Sequence, residues 1–193
     1  MSHFDVYFYR EINICRGVII LYKNLKLYFN KSSTQARSPL KVSMWQAILA
    51  FIGGFITIFI LVSLSEGLHL SLLIAPFGAS CVLAFALPEA AVSQPRNIIG
   101  GHFITALCGL VIYHWLGNGI WALSLAVGLG IALMILTKTT HPPAGANPIV
   151  VITAASSWSF LITPVLVGSI VVVCVALLYN NLIKHRKYPT FWL

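Results

Sequence analysis

Between Met44 and Ile183 the chain carries only four charged side chains, Glu66, Glu89, Arg96 and Lys138. A soluble domain draws about a quarter of its residues from Asp, Glu, Lys and Arg to cover its surface. Over all 193 residues the charged share here is 8%, against 59% for the AVILMFWYC set. An ordinary cytosolic domain, a disordered chain and a disulfide-stapled secreted module are all excluded. What remains is an all-α integral membrane protein. At about 20 residues per crossing, the length gives one domain room for about five or six spans.

The net charge of +8 lies at the two ends. Arg10, Arg16, Lys23, Lys26, Lys31, Arg37 and Lys41 precede the apolar region, and Lys184, Arg186 and Lys187 follow it. Basic residues flanking apolar spans mark the cytoplasmic side. No nucleic-acid motif accompanies them, so a nucleic-acid partner is not expected. The expected partners are the lipid bilayer and a small solute. Cys81, Cys108 and Cys174 sit in apolar runs and Cys15 in the N-terminal stretch. There is no CxxC or Cys/His ligand spacing, so neither a metal nor a cofactor is expected.

Residues 1–43 form a basic N-terminal extension. Ile14, Val18, Tyr22, Leu25 and Phe29 recur at helical spacing, with Arg16, Lys23 and Lys26 off that stripe. That pattern suits an amphipathic helix lying on an anionic leaflet. The alternative is a protein that starts at Met44. Residues 32–43 read as a polar linker. The transmembrane domain is expected over 44–183, with a basic cytoplasmic tail over 184–193.

The apolar runs are Trp45–Leu64, Leu68–Leu87, Ile98–Leu116, Ile120–Leu136, Ile149–Ala155 and Phe160–Leu182. If residues 140–158 cross the membrane, every Lys and Arg falls on one side, with both termini cytoplasmic. If they re-enter, the basic tail lands outside. Charge therefore favours six crossings in a cytoplasmic, that is inner, membrane.

Two segments share the pattern P-x-G-A-[SN]. They are Pro76-Phe77-Gly78-Ala79-Ser80 and Pro143-Ala144-Gly145-Ala146-Asn147, 67 residues apart. Each is preceded by a long apolar run and followed by an apolar stretch, a Pro, a Gly and another long run. Two three-span units result, about 45–116 and 117–183. An odd number of crossings per unit inverts the second relative to the first, the arrangement of inverted-repeat transporters with interrupted helices at matching places. Proline suits a first helical turn, and Gly and Ala leave backbone N–H groups uncovered. Such a start can hold an anion. The candidate binding residues are therefore Gly78, Ala79, Ser80, Gly145, Ala146 and Asn147, with Pro76, Pro142 and Pro143 shaping the segments. Proline kinks at helix contacts are the competing explanation.

Arg96, Asn97, His102 and His141 are candidates for anion entry or protonation. Arg96 equally suits a topology charge or a helix cap, and His102 a buried polar contact. No HExxH, GxSxG, GxGxxG or P-loop occurs, so an enzyme is not expected. The apolar region holds no Asp and no paired carboxylates, which favours an anion or a neutral solute over a cation. Rival functions are a neutral-solute channel and a non-transporting scaffold subunit. The small-residue pairs Gly53-Gly54, Gly100-Gly101 and Gly128/Gly130 suit packing within the chain or a homo-oligomer.

The stretch APFGASCVLAFALPEAAVSQPRNIIGGH (75–102) together with HPPAGANP (141–148) resembles the HPP family of integral membrane proteins. The family takes its name from the triplet that reads His141-Pro142-Pro143 here. The resemblance covers about 44–183 and leaves out the first 43 residues. It implies a multi-pass transporter, usually described with four or five spans where charge placement gives six. Plastid and cyanobacterial members are implicated in nitrite transport, so the resemblance implies nitrite as the anion. With no fused regulatory domain and no transit segment, the chain looks like a short bacterial member.

Overall fold

The structure is a computed structural model that describes residues 22–38 and 43–192. The chain divides into two units, Met1–Lys41 and Val42–Leu193. In the first, residues 22–32 are helical (α1) and 33–38 have no regular structure. Tyr22, Leu25 and Phe29 are exposed on α1. Ile14 and Val18, the first half of the expected amphipathic stripe, lie outside the described residues.

The second unit is helical, with no strand among the described residues. Its elements are α2 (Met44–Leu68), α3 (Ala75–Ala86), α4 (Pro95–Leu116), α5 (Ile120–Leu136), α6 (Asn147–Thr153) and α7 (Val167–Leu182). Each boundary has a local cause. The Ser43 side chain caps α2 by accepting from the Gln46 amide, and His69 ends it in the left-handed conformation at φ 52°. Pro76 and Pro95 occupy the first turns of α3 and α4, where a missing N–H costs nothing. Gly117, at φ 73°, stops α4. Ahead of α7 the run from Trp158 is helical except at Thr163, whose extended backbone (φ −124°, ψ 118°) is what the following Pro164 imposes.

Three helical stretches are long and apolar enough to cross a membrane: Met44–Leu68, Pro95–Leu116 and Trp158–Leu182. At 1.5 Å per residue each reaches about 30 Å or more, the thickness of the hydrocarbon core. The other apolar runs give shorter helices. α3 has 12 residues and α5 has 17. The run after His141 gives a five-residue 3-10 turn, Pro142–Ala146, continuing into the seven-residue α6. The expected count of six helical spans thus becomes three long helices, one shorter one and two short broken segments. Proline at 142, 143 and 148 and the turn at Ala154-Ala155 keep the last of these short.

α2 shows how the unit meets its surroundings. Only Leu49, Gly53, Thr57 and Leu61, one residue per turn, are buried. Phe51, Phe55 and Phe59 stack along the other side, 71%, 61% and 62% exposed. A ladder of bare phenylalanines is untenable in water and ordinary against lipid.

The helices pack on neighbours both near and distant in sequence. α2 packs on α3 and α7, short α3 also on α7, short α6 on α4 and α5, and α5 on α4. Two close backbone approaches at glycine join elements distant in sequence. A Cβ at Gly101 would lie 2.9 Å from the Thr139 carbonyl oxygen, and one at Gly168 would lie 2.9 Å from the Leu72 carbonyl oxygen. Both pairs are related by the same 67-residue offset as the two P-x-G-A-[SN] segments. In each case a glycine on a long helix lets the chain leading into the opposite broken segment lie against it.

The segment after α7 folds back. Tyr188 is buried, with its hydroxyl donating to the Ser93 carbonyl at 2.8 Å and its amide to Asn181 Oδ1 at 3.1 Å. The Thr190 amide donates to Gln94 Oε1 at 2.8 Å, and Arg186 donates to the Phe85 carbonyl at 3.0 Å. Burial pushes the Tyr188 phenol above its usual range.

Two outcomes are expected for purified protein in detergent. Gly168→Leu drives a side chain into the Phe77 ring, 2.3 Å from the added Cβ, and costs about 1–3 kcal/mol or more, read as a lower melting temperature. Gly78→Ala meets nothing within 4 Å and leaves the melting temperature unchanged or higher. The Tyr188 phenol, raised in the folded state, contributes stability that is complete below about pH 10 and is lost as pH rises further, because only the unfolded chain ionises there. A melting series at rising alkaline pH should show that loss in the parent protein and a smaller one in Tyr188→Phe.

Candidate functional site

The buried polar side chains of the second unit gather at one place. Ser80, His102, His141 and Asn147 each have no exposed surface. Ser80 lies on the inner face of α3, with Pro76, Phe77, Cys81 and Ala84, at helical spacing. His102 lies on the stripe of α4 that holds Ile98, Gly101, Thr105 and Ala106. His141 precedes Pro142 and takes the extended conformation that position favours (φ −138°, ψ 100°). Asn147 opens α6, after a 3-10 turn that Pro142 starts.

One hydroxyl joins them. Ser80 Oγ is 2.8 Å from His102 Nε2 and 2.8 Å from His141 Nε2. The far nitrogens are held as well. His141 Nδ1 donates to the Val92 carbonyl at 2.7 Å. His102 Nδ1 faces the Asn147 amide, 3.0 Å from Nδ2 and 3.3 Å from Oδ1. Asn147 Nδ2 also reaches the His102 carbonyl at 2.9 Å and Thr105 Oγ1 at 3.1 Å. The His102 ring packs edge-on against Phe77 and His141, with centroids 5.0 and 5.1 Å away. A fully connected buried network of this kind holds its members in one geometry.

The other candidates fall into two groups. Arg96 and Asn97, in the first turn of α4, clamp the segment that leads to His141. Arg96 Nη2 donates to the Thr137 carbonyl at 2.9 Å, and Asn97 Nδ2 to the Thr140 carbonyl at 2.9 Å. Thr137 caps the end of α5, where free carbonyls favour a cation. Of the shaping prolines, Pro76 and Pro143 are buried and Pro142 is exposed. Gly78 and Ala79 are exposed, and Gly145 and Ala146 half-buried.

At each of the two helix starts one backbone donor is already taken. The Phe77 amide donates to the Ile74 carbonyl at 3.0 Å, and the Ala144 amide to the His141 carbonyl at 2.9 Å. The first turn closes on Ile74, two residues before Pro76, and the second on His141, directly before Pro142-Pro143, and the prolines bring no N–H of their own. Polar character at this place comes from side chains. Thr105 and the Val92 carbonyl belong to the cluster and were not among the sequence candidates. Thr105 stands three residues after His102 on the same helix face, a signal the spacing carries. A backbone carbonyl has no sequence signal. Among the described residues, no group of three or more His, Cys, Asp and Glu side chains could hold a metal ion.

Comparison with known proteins agrees with this architecture. Residues 39–189 match the family model described as HPP, transmembrane region. Two curated transmembrane proteins of Dictyostelium discoideum are similar. One is 33% identical over 177 residues, covering 86% of this chain and 57% of the relative. The other is 35% identical over 158 residues, covering 77% of this chain and 55% of the relative. The chain thus spans little more than half the length of these relatives. No solved structure matches it. The match across the helical unit, His-Pro-Pro included, makes this chain a member of the HPP family of transmembrane proteins.

Proposed function

We propose that the chain is a transporter or channel for a small monovalent anion, built from two inverted three-span units. The observation that carries this is the Ser80–His102–His141–Asn147 cluster, buried where the two broken segments meet. Imidazole N–H groups, a hydroxyl and a carboxamide are donors suited to a small oxyanion. Polar groups inside an apolar bundle mark a solute path far more often than they add stability. Nitrite is the best candidate, and it comes from the family resemblance alone.

The reciprocal glycine contacts support the inverted arrangement. A broken segment is long enough to cross: the 12 residues of α3 supply about 18 Å and the non-helical lead-in before them up to about 20 Å more. The second segment, with its lead-in after α5, has a similar reach. With the basic ends cytoplasmic, both termini lie on the inner side of a cytoplasmic membrane. Catalysis is not part of the proposal, since the one hydroxyl beside an imidazole is fully buried and held from both sides.

A neutral-solute channel on the same scaffold is the second reading. In its favour, no charged side chain bonds to any member of the cluster among the described residues.

The test is nitrite uptake into proteoliposomes holding the full chain, with nitrate, formate and chloride as competitors and protein-free vesicles as baseline. Uptake above baseline that competing anions reduce, and that Asn147→Ala and Ser80→Ala each cut about tenfold or more, is the expected result. Uptake unchanged in both correctly folded variants removes the cluster from the path. No uptake of any of these anions by the folded parent protein contradicts the anion reading.

A further inference from the structure

We infer that an anion enters the cluster only together with a proton, so that the protein moves the two as an electroneutral pair; this rests on the anion path proposed above. The hydrogen bonds assign the protons of the empty cluster. A carbonyl oxygen only accepts, so His141 Nδ1 carries the hydrogen it gives to Val92. In the neutral ring Nε2 is then an acceptor, and the Ser80 hydroxyl donates to it at 2.8 Å in preference to the Pro76 carbonyl at 3.2 Å. Ser80 Oγ in turn accepts from His102 Nε2–H. That leaves His102 Nδ1 as the acceptor of the Asn147 amide. One direction of donation runs through all four side chains, every ring nitrogen is paired, and the sum of charges is zero.

No fixed charge stands by to meet an anion. On the elements packed around the two rings, Arg96 at the start of α4 is half-buried and occupied by the Thr137 carbonyl. Lys138 after α5 and Glu89 after α3 are exposed. The remaining titratable groups on α3 and α4 are the buried thiols Cys81 and Cys108, and Tyr113 and His114 in the last turns of α4, with His114 Nδ1 on the Leu110 carbonyl. α7 carries the exposed Cys174, Tyr179 with its hydroxyl on the Leu49 carbonyl, and the buried Ser169 and Asn180, bonded to the Leu166 and Ala84 carbonyls. A bare anion in this setting keeps most of its desolvation cost. The groups able to supply a compensating charge are the two histidines themselves.

The exchange balances. The anion displaces the Ser80 hydroxyl from between the rings and takes its hydrogen bond. His141 Nε2, left without a donor, accepts one proton from the aqueous side. The resulting imidazolium keeps Nδ1–H on the Val92 carbonyl and turns Nε2–H toward the anion. His102 Nε2–H and Ser80 O–H complete the shell. One negative and one positive charge enter together. On the far side the anion leaves, His141 Nε2 releases its proton, and the hydroxyl returns.

The experiment uses the parent protein. Proteoliposomes with a pH dye inside are given either a pH gradient or a potassium-diffusion potential. Uptake of nitrite, nitrate or formate is read against protein-free vesicles, which report passage of the free acid. The expected result is uptake that follows the pH gradient, brings in one proton per anion and ignores the potential. His141→Gln, which keeps hydrogen bonds but takes no proton, should lower the gradient-driven uptake about tenfold or more. Uptake that follows the potential without proton entry overturns the coupling and leaves the anion path standing. Nitrogen NMR of labelled histidine separates the two ideas in the parent protein. Of the six histidines, it should find His141 as a neutral Nδ1–H ring and His102 as a neutral Nε2–H ring, with conversion of one of these two to imidazolium when anion is added. Anion binding that leaves both rings neutral overturns the coupling alone. Absence of both binding and uptake for every anion overturns the path and the coupling with it.

Discussion

A bilayer offers no water to backbone groups, and this chain interrupts two of its apolar runs with short helices and irregular lead-ins. Everything around the two lead-in segments answers that constraint. The Leu72 amide is taken by Ser65 Oγ at 3.1 Å and the Thr139 amide by the Met134 carbonyl at 2.9 Å. Arg96 and Asn97 hold the carbonyls of Thr137 and Thr140. Gly101 and Gly168 let both segments lie against a long helix with no side chain between. Irregular backbone in an apolar region persists only when protein covers it, and the segment at α3 is packed by α7 while the one at Pro142–Thr153 is packed by α4.

The polar cluster follows from the same breaks. Continuous helices through this region would present apolar faces on all sides. Ending α5 at Leu136, with His141 extended before the next turn, and starting α3 at Ala75 bring an imidazole and a hydroxyl together beside His102 on the unbroken α4. The cluster then pays part of the cost of the breaks by tying α3, α4 and the 141–147 segment together through five side chains and the Val92 carbonyl. The tail makes a second tie to the same connection, since Val92 bonds His141 while neighbouring Ser93 and Gln94 bond Tyr188 and Thr190.

Much of this was legible in the residues. The membrane class followed from four charges in the apolar region. Ser80 and Asn147 stood out because they end matching motifs, and His141 because two prolines follow it. His102 was weaker, because a lone histidine at the head of an apolar run carries no spacing signal until its partners, 22 and 45 residues away in sequence, are known. At each motif one backbone amide, that of Phe77 or Ala144, is taken by a carbonyl at the start of the turn, a bond the motif does not signal. Helix lengths were not legible: hydropathy sees apolar runs, whereas helix length is set by where prolines and left-handed residues fall, so two of the runs give short helices. The buried tail escaped notice because Tyr188 sits among Lys184, Arg186 and Lys187, and basic residues mask one tyrosine that packs inward.

The central claim is that a path from both faces of the membrane meets at Ser80. The most direct measurement is the reaction of Ser80→Cys, with the native cysteines replaced, toward a small anionic thiol reagent applied from either side of sealed vesicles. Modification from both sides, slowed by nitrite, is the predicted result. A cysteine at this position that stays unmodified from both sides, in protein that folds normally, would contradict it.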